Sequence, residues 1–231
     1  MNIFTIQLDP PTKIIPLGDP HIILPNTWGD LKFKKYIKYA LDNNIHVIDL
    51  GDTLDFATRV SPTNPLEGER MPNYAAIKYV VELYKPLALR GLLDGIIEGN
   101  HTFRAMKLTG LLPGKEIAEK LGVNYLGFRS VIGYRVEGVG HNKGNPCYFL
   151  VYVGHGYGGG ITSGGALNRI KKGIETVENC DLYVEGHRHK SVLEDTRVLI
   201  PVYSSKKNKM VLHSCSRVFF QAPGFQSTKD T

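Results

Sequence analysis

Residues 46–55 read HVIDLGDTLD, and this stretch decides how the chain is interpreted. Its first half, His46–Leu50, is an apolar run of the length of a buried strand. Its second half places a glycine and two carboxylates, Asp52 and Asp55, where that strand would break into a loop. Because ligand sites in open α/β sheets form outside the carboxyl ends of the strands, the stretch predicts a strand that delivers acidic side chains to a site.

Four other runs of the chain also end in side chains that bind metals. Most of the five runs follow an apolar stretch that is typical of a strand, and each has a glycine at or next to the polar residues, which permits a sharp turn. Together they contain five of the eight histidines. The four other runs are Gly18-Asp19-Pro20-His21, Gly99-Asn100-His101, Gly154-His155-Gly156 and Gly186-His187-Arg188-His189.

The spacing within two runs predicts shared ligation of one ion. Asp19 and His21 lie two residues apart, as do His187 and His189. In an extended segment such residues point to the same side, so each pair is expected to reach one ion together.

The types of side chain predict the kind of metal. Mixed oxygen and nitrogen ligands suit manganese, iron or zinc better than calcium or magnesium, and the few cysteines do not favour a thiolate site. Seven ligands are enough for two ions if one carboxylate bridges them, and two ions roughly 3.5–4 Å apart form the usual clamp for displacement at phosphorus. His101 is then left as a candidate general acid. The seven candidate ligands are Asp19, His21, Asp52, Asn100, His155, His187 and His189.

Taken in order, the five runs resemble the signature of the calcineurin-like metallophosphoesterase family, which is D-x-H, G-D-x-x-D, G-N-H-[DE], a lone H and G-H-x-H. The resemblance extends from about Leu17 to His189. It implies a four-layer α/β/β/α sandwich, in which helices flank two mixed β-sheets and a dinuclear metal site lies at the sheet edge. It also implies hydrolysis of phosphate mono- or diesters by attack of hydroxide, with two divalent metal ions. Manganese is the favoured metal, and iron and zinc are the alternatives.

The resemblance further implies a role for each candidate ligand. One metal would be held by three residues near the first and last runs, and the other by three residues from the middle and late runs, with one aspartate shared between them. In that order the ligands are Asp19, His21 and His189; Asn100, His155 and His187; and Asp52 as the bridge.

The catalytic residues that the resemblance implies lie around the third run. His101 would protonate the leaving oxygen or stabilise charge on the phosphoryl group, and Arg104 is a candidate phosphate contact. The chain departs from the family pattern at Thr102, where an acidic residue usually orients the histidine. Asp55 is the nearest matching acidic residue, and we expect it to supply part of that support.

Two loops are candidates for substrate selection. The segment 56–73 is long, leaves from the metal edge and carries Arg59 and Arg70, which either contact phosphate or are ordinary solvated charges. The glycine-rich segment 154–165 lacks the spacing of a P-loop, so it is interpreted as a turn that ends in an N-cap at Thr162 or Ser163, or else as a loop that moves over the substrate.

Alternation of helices and strands in the first half of the chain predicts βαβ units with a mostly parallel sheet. From Tyr125 onward the pattern becomes rich in strands, which predicts a second sheet packed on the first. A polar tail, which is expected to be loose, begins at about Gln221. No linker divides residues 1–231, so a single domain is expected. The predicted strands lie near 13–17, 46–50, 93–98, 127–137, 147–153 and 181–185, and the predicted helices near 28–43, 74–89, 113–121 and 164–178.

Composition sets further expectations. A hydrophobic content of 42% is enough for a core, and three cysteines do not suggest a disulfide framework. Neither a signal peptide nor an apolar run of membrane-spanning length is visible, which predicts a cytoplasmic protein that does not enter a membrane. The net charge of +6 permits a nucleic acid or nucleotide as partner, although no nucleic-acid-binding motif supports one.

Two alternatives remain beside the phosphoesterase hypothesis. A nuclease that acts on DNA or RNA would use the same metal core. A non-catalytic scaffold for protein interaction would keep the fold, but such proteins typically lose ligands or the histidine at the position of His101, and this chain retains all of them.

Overall fold

A computed structural model describes residues 1–9, 12–56, 70–137, 145–158, 162–189, 191–204 and 207–225. No helix within these ranges is long and apolar enough to cross a membrane. The elements of the described ranges are, in chain order, β1 (Ile3–Leu8), β2 (Ile14–Leu17), α1 (Trp28–Asp42), β3 (His46–Asp49), α2 (Asn73–Leu89), β4 (Leu93–Ile97), α3 (Asn100–Thr109), α4 (Pro113–Leu121), β5 (Tyr125–Gly127), β6 (Arg129–Val136), β7 (Cys147–Gly154), α5 (Ser163–Lys171), α6 (Gly173–Thr176), β8 (Leu182–Glu185), β9 (Val192–Ser204) and β10 (Lys209–Gln221).

The strands form two sheets, which confirms the mixed α/β class. One sheet has six strands in the order β1-β6-β7-β8-β10-β9, and the other has four in the order β2-β3-β4-β5. The six-stranded sheet contains parallel and antiparallel pairs, whereas every pair of the four-stranded sheet is parallel. The prediction of two mixed sheets was therefore wrong for the smaller sheet. Its strands are joined through helices, and a helical crossover returns the chain to the same end of the sheet.

Two strands do not belong to the sheet that their position in the chain suggests. β1 pairs in parallel with β6 and so belongs to the six-stranded sheet. β5 pairs with β4 in the four-stranded sheet, although the sequence predicts that the strands from Tyr125 onward build the second sheet. The partner of β1 lies far along the chain, and β5, which has three residues, directly precedes the first long strand of the other sheet. A local sequence pattern records neither relation.

The core consists of three clusters of buried side chains. The first joins the four-stranded sheet to the helices α1, α2 and α4. The second contains residues from both sheets, among them Ile48 of β3, Ile97 of β4, Ile132 of β6 and Val151 of β7, so the sheets pack directly on each other. The third lies between the six-stranded sheet and α5, where Ile170 contributes to it.

The segment after β10 is packed rather than loose. Ala222 and Phe225 are buried, and the N–H of Phe225 donates to the carbonyl oxygen of Asp19 at 3.2 Å. The prediction of a loose tail from about Gln221 was therefore wrong for residues 221–225, because Phe225 fills the core beside α1. The last six residues, 226–231, lie outside the described residues.

Candidate metal centre

The loops that follow five strands meet at one edge of the two sheets. The N–H of Asp19 donates to the carbonyl of Gly51 at 3.0 Å, and that of His21 donates to Asp52 at 3.1 Å, so the loops after β2 and β3 are joined by backbone bonds. The loops after β7 and β8 are joined in the same way. Contacts between the loops bring the seven predicted ligands close together, and their role as metal ligands stays a prediction.

Three of the predicted ligands form what we call the first ligand group: Asp19, His21 and His189. The Nε2 atoms of the two histidines are 3.3 Å apart, and they lie 3.8 and 3.7 Å from Oδ1 of Asp19. Because metal–nitrogen and metal–oxygen bonds are about 2.0–2.2 Å long, two ligands of one ion lie roughly 3–4 Å apart. The spacing of this group therefore suits a single cation.

The second ligand group comprises Asp52, His155, His187 and Asn100. Nε2 of His155 lies 3.0 Å from Oδ2 of Asp52 and 2.8 Å from Oδ1 of Asn100. Ligand atoms of Asp52, His155 and His187 lie within 4.8 Å of one another. The members of the second group come from four separate loops and those of the first group from two, so the groups exist only in the folded chain.

Each aspartate uses one carboxylate oxygen to accept a backbone N–H and turns the other toward the histidines of its ligand group. Oδ2 of Asp19 accepts the N–H of His187 at 2.7 Å, and Oδ1 of Asp52 accepts the N–H of His101 at 2.9 Å. Oδ1 of Asp19 is buried without a hydrogen bond from the described residues, as is Nδ1 of His21, whereas Oδ2 of Asp52 has Nε2 of His155 3.0 Å away. Leaving a buried acceptor unsatisfied costs about 1–3 kcal/mol, more when it is charged, and a bound cation would satisfy Oδ1 of Asp19.

His155 presents a nitrogen that fits a cation. Its Nδ1 lies 2.8 Å from the carbonyl oxygen of Leu50, which can only accept, so Nδ1 carries the hydrogen. Nε2 then faces Asp52 and Asn100. Burial lowers the pKa of His155, but the hydrogen bond and charge of Asp52 outweigh it and raise that pKa to about 9. Without a metal this position attracts a proton, and a metal ion would compete with that proton.

The pKa values of the other members also suit metal ligation. Burial raises the pKa of Asp52, but His155, His101 and His21 outweigh it, so this carboxylate is ionised well below the usual range. Burial lowers the pKa of His21 to about 4. It lowers that of His187 too, with the nearby His155 adding to the effect. Neutral imidazoles and ionised carboxylates are the forms that bind metal.

Five of the seven predicted ligands have a left-handed backbone, which is uncommon for residues other than glycine and concentrates at functional sites. This result corrects the spacing argument, because residues two apart in these loops are not extended. His187 and His189 consequently join different ligand groups, although Asp19 and His21 do share one. The φ angles are 59° at Asp19, 45° at His21, 49° at Asp52, 73° at His187 and 54° at His189.

Two glycines are required by the close approach of the loops. A Cβ atom at Gly99 would overlap both the carboxylate and the backbone nitrogen of Asp52. A Cβ atom at Gly186 would lie 2.7 Å from Oδ2 of Asp19. Each aspartate is thus held against a glycine of a neighbouring loop.

His101 is supported by Asp55 and not by its own neighbour in sequence. Nδ1 of His101 lies 2.6 Å from Oδ1 of Asp55, whose other oxygen accepts from Arg70 at 3.0 Å. Burial raises the pKa of Asp55, but the hydrogen bond and charge of His101, together with the charge of Arg70, lower it by a larger amount. The carboxylate is therefore ionised. Because that carboxylate accepts the Nδ1 hydrogen, Nε2 is free to face the metal centre, 4.0 Å from Oδ2 of Asp52. Thr102 bonds only to the backbone of Gly99 at the start of α3.

The remaining predicted contacts have different outcomes. Arg70 forms an ion pair with Asp55 and so belongs to the residues that support His101. Arg104 is half-buried on α3 and makes no ion pair within the described ranges, so its phosphate contact stays a prediction. Arg59 and residues 159–161 of the glycine-rich segment lie outside the described residues. Thr162 is the N-cap of α5, as predicted, and accepts from the N–H of Gly165.

The sequence interpretation missed several residues around the centre. Asp49 accepts hydrogen bonds from the N–H of Gly51 at 2.8 Å and the hydroxyl of Thr53, and so holds the turn that carries Asp52. An aspartate inside the apolar run 46–50 was the available signal, since such a residue commonly bonds the N–H two positions on. Arg188 also went unassigned, and its buried Nη1 has no hydrogen-bond partner from the described residues.

A cleft of about 290 Å³ adjoins the second ligand group and was also missed. We call it the aromatic cleft because Phe103, Phe128 and Tyr157 line it, together with Arg129 and Glu185. Glu185 is only 7% exposed. Burial raises the pKa of its carboxyl group, and the nearest arginines oppose that effect without cancelling it. No sequence motif marks the cleft, because its walls come from α3, β6, β8 and the loop after β7.

Comparison with protein-family models gives no match to this chain, and comparison with curated proteins gives none either.

Proposed function

We propose that the chain is a metal-dependent phosphoesterase that hydrolyses phosphate mono- or diesters, with the four-layer α/β/β/α arrangement and dinuclear site of the calcineurin-like family. The observation that carries this proposal is the pair of ligand groups, each with a buried carboxylate oxygen turned toward its histidines. The donor set of carboxylate, imidazole and amide fits manganese, iron or zinc. A cytoplasmic location stays a prediction.

In this proposal the first ligand group would hold one cation and the second another, with Asp52 shared between them. When bound, two divalent cations would polarise a phosphoryl oxygen and would lower the pKa of a bound water molecule to about 7. The remaining chemistry belongs to side chains of the chain. Asp19 and Asp52 supply the negative charge that balances the cations, and the backbone N–H groups of His187 and His101 keep both carboxylates oriented.

His101 is the proposed proton donor to the leaving oxygen. Its Nδ1 lies 2.6 Å from a carboxylate oxygen of Asp55, whose other oxygen accepts from Arg70. Nε2 would therefore carry the proton to the substrate; it faces the centre and lies beside the first ligand group, since the rings of His101 and His21 are 4.5 Å apart. Asp55 thus takes the place of the acidic neighbour in sequence that usually orients this histidine.

Turnover and metal content together test the proposal. Purified protein is loaded with manganese, its metal-to-protein ratio is measured by mass spectrometry, and nitrophenol release is followed from mono- and bis-nitrophenyl phosphate. We expect two ions per chain and hydrolysis of at least one ester. Two bound ions without hydrolysis across several phosphoesters would favour the non-catalytic scaffold, and a clear preference for the monoester would count against a diesterase.

A further inference from the structure

The aromatic cleft offers two kinds of contact that the proposed chemistry does not use. Phe128 and Tyr157 are 43% and 53% exposed although both are large aromatic side chains. The rings of Phe103 and Phe128 meet edge to face at 5.0 Å, and the guanidinium of Arg169 lies 4.9 Å above the ring of Tyr157. These rings are therefore fixed by their neighbours while they remain accessible from the cleft.

Glu185 provides a hydrogen-bond acceptor on the floor of this cleft. The residue is 7% exposed, and none of the described residues donates a hydrogen bond to its carboxylate. The carboxylate lies against the glycines that flank His155, because a Cβ atom at Gly156 would be 3.3 Å from Oε2. A carboxylate at this position can accept N–H donors from a ligand that enters the cleft.

The position of the cleft limits what such a ligand can be. Asn100 and His155 belong both to the second ligand group and to the cleft wall, so a group bound in the cleft is directly next to the proposed site of phosphoryl chemistry. Arg129 adds positive charge at the same place. The ligand that matches all these features is flat, aromatic, equipped with N–H donors on one edge and attached to a phosphate.

We propose that the aromatic cleft binds the nucleobase adjacent to the scissile phosphate of a nucleoside phosphoester. This inference rests on the proposed phosphoesterase function, which it narrows to nucleotide chemistry. Phe128 and Tyr157 stack on the base, and Glu185 accepts from its exocyclic amino group. Stacking tolerates every base, whereas a carboxylate favours cytosine, whose N4 amino group donates, over uracil, which has an accepting oxygen at that position.

Binding of non-hydrolysed analogues tests this proposal without depending on turnover. The probes are the 5′-phosphonates of cytidine, uridine and ribose, whose P–C bond is not cleaved, and affinity for the manganese-loaded protein is measured by titration calorimetry. Stacking predicts that cytidine phosphonate binds roughly 5–150-fold more tightly than ribose phosphonate. The carboxylate predicts that cytidine phosphonate also binds about tenfold more tightly than uridine phosphonate.

Three variants separate the two contacts. Phe128→Ala is expected to bring the cytidine affinity close to that of ribose phosphonate, and Phe128→Leu does the same while it keeps an apolar side chain for folding. Glu185→Gln is expected to abolish the preference for cytidine over uridine and to leave the stacking gain in place. Tyr148→Ala is the control, because Tyr148 is an exposed aromatic residue on β7 that does not line the cleft, and all affinities should remain unchanged.

The outcomes distinguish this proposal from the phosphoesterase proposal. Equal affinity for cytidine, uridine and ribose phosphonates in protein that hydrolyses phosphoesters would overturn the nucleobase site alone. Phe128-dependent binding of nucleoside phosphonates by protein without turnover would support the site and remove the activity. A cytidine trinucleotide that binds more tightly than the mononucleotide, with an affinity that falls as salt rises, would identify the source as single-stranded nucleic acid, and equal affinity would identify a free nucleotide.

Discussion

The first and second ligand groups have similar side chains but are built differently. The second is more enclosed, because the side chain of His155 is 3% exposed whereas that of His189 in the first group is 28% exposed. His155 is also anchored by the carbonyl of Leu50, while His21 of the first group has a buried nitrogen without a partner from the described residues. Ligands that are already oriented lose less freedom when they bind. We therefore expect the second group to hold its cation more tightly and the first to exchange it more readily.

The largest expected effect is the loss of metal and turnover when Asp52, the proposed bridge, is replaced, and it should exceed the effect of replacing Asp19. Asp52→Ala should remove both cations and lower turnover by more than about 10⁴-fold, because several kcal/mol of charge stabilisation are lost. Asp19→Ala should remove the cation of the first group only. The metal-to-protein ratio after gel filtration measures both variants, and Asp42→Ala, at an exposed position on α1, is the control. Retention of one tightly bound ion in Asp52→Ala would exclude a bridging role.

His101 stands beside the first group without belonging to it, so it distinguishes catalysis from metal binding. His101→Ala should lower turnover by roughly 10²–10⁴-fold, the usual range for lost acid–base help, while both cations remain. Steady-state kinetics together with metal content provide the measurement. Lys107→Ala, at an exposed position on the same helix, should leave both unchanged. Unaltered turnover in His101→Ala would remove this histidine from the mechanism.

The support of His101 should have a smaller effect. Asp55→Asn keeps the shape of the side chain but removes its charge, and changes of this kind next to a functional histidine typically cost roughly 10–100-fold in activity. Arg70→Gln should cost less, because Arg70 acts on His101 only through Asp55. The double variant His101→Ala/Asp55→Asn should be no slower than His101→Ala alone. An additive loss in the double variant would mean that Asp55 acts independently.

The smallest expected effects are changes in stability when the glycines that lie against Asp52 and Asp19 are replaced. Gly99→Ala should lower the free energy of unfolding by roughly 1–3 kcal/mol, because the added methyl group meets the backbone nitrogen of Asp52, which cannot move aside. Gly186→Ala should lower the free energy of unfolding by less, because the atom nearest to its added methyl group is a side-chain oxygen of Asp19, at 2.7 Å, and the next atom is 3.4 Å away. Urea unfolding measures both. Gly164→Ala in α5, where nothing lies within 4 Å of the added Cβ, should be neutral or stabilising, and a loss there equal to that of Gly99→Ala would refute the steric argument.

Much of the fold was predictable from local patterns. The helix Pro113–Leu121 coincides with its predicted range of 113–121, and the strands at His46–Asp49 and Leu93–Ile97 end within one residue of the predicted positions. Each of these elements has a proline or glycine at or near a boundary, which is a signal carried by neighbouring residues. The partner of β1 was not predictable, because it lies far along the chain. The sheet of β5 was not predictable either, because β5 and β6 follow each other directly and yet belong to different sheets.

The residues of the candidate site were predicted from the sequence, and the resemblance also implied how they divide into two groups. The structure places Asp19, His21 and His189 together, and Asp52, His155 and His187 together beside Asn100. The two-residue spacing had suggested instead that His187 and His189 share an ion, which the left-handed turns at both residues prevent. Asp55 was expected to support His101, whereas the pairing of Arg70 with Asp55 was not, because Arg70 reaches it from a distant part of the loop.

The sequence by itself determined the chemistry that this protein can offer: carboxylates, imidazoles and an amide placed after apolar strands, with glycines where the backbone must turn. Those properties depend on residue type and order, so they can be read without coordinates. Only the tertiary structure decided how close the ligand atoms lie to one another, that Oδ1 of Asp19 is buried without a hydrogen bond from the described residues, and that Phe128 and Glu185 line one cleft beside the centre. Distances between residues far apart in the chain arise from packing, and no local pattern encodes them.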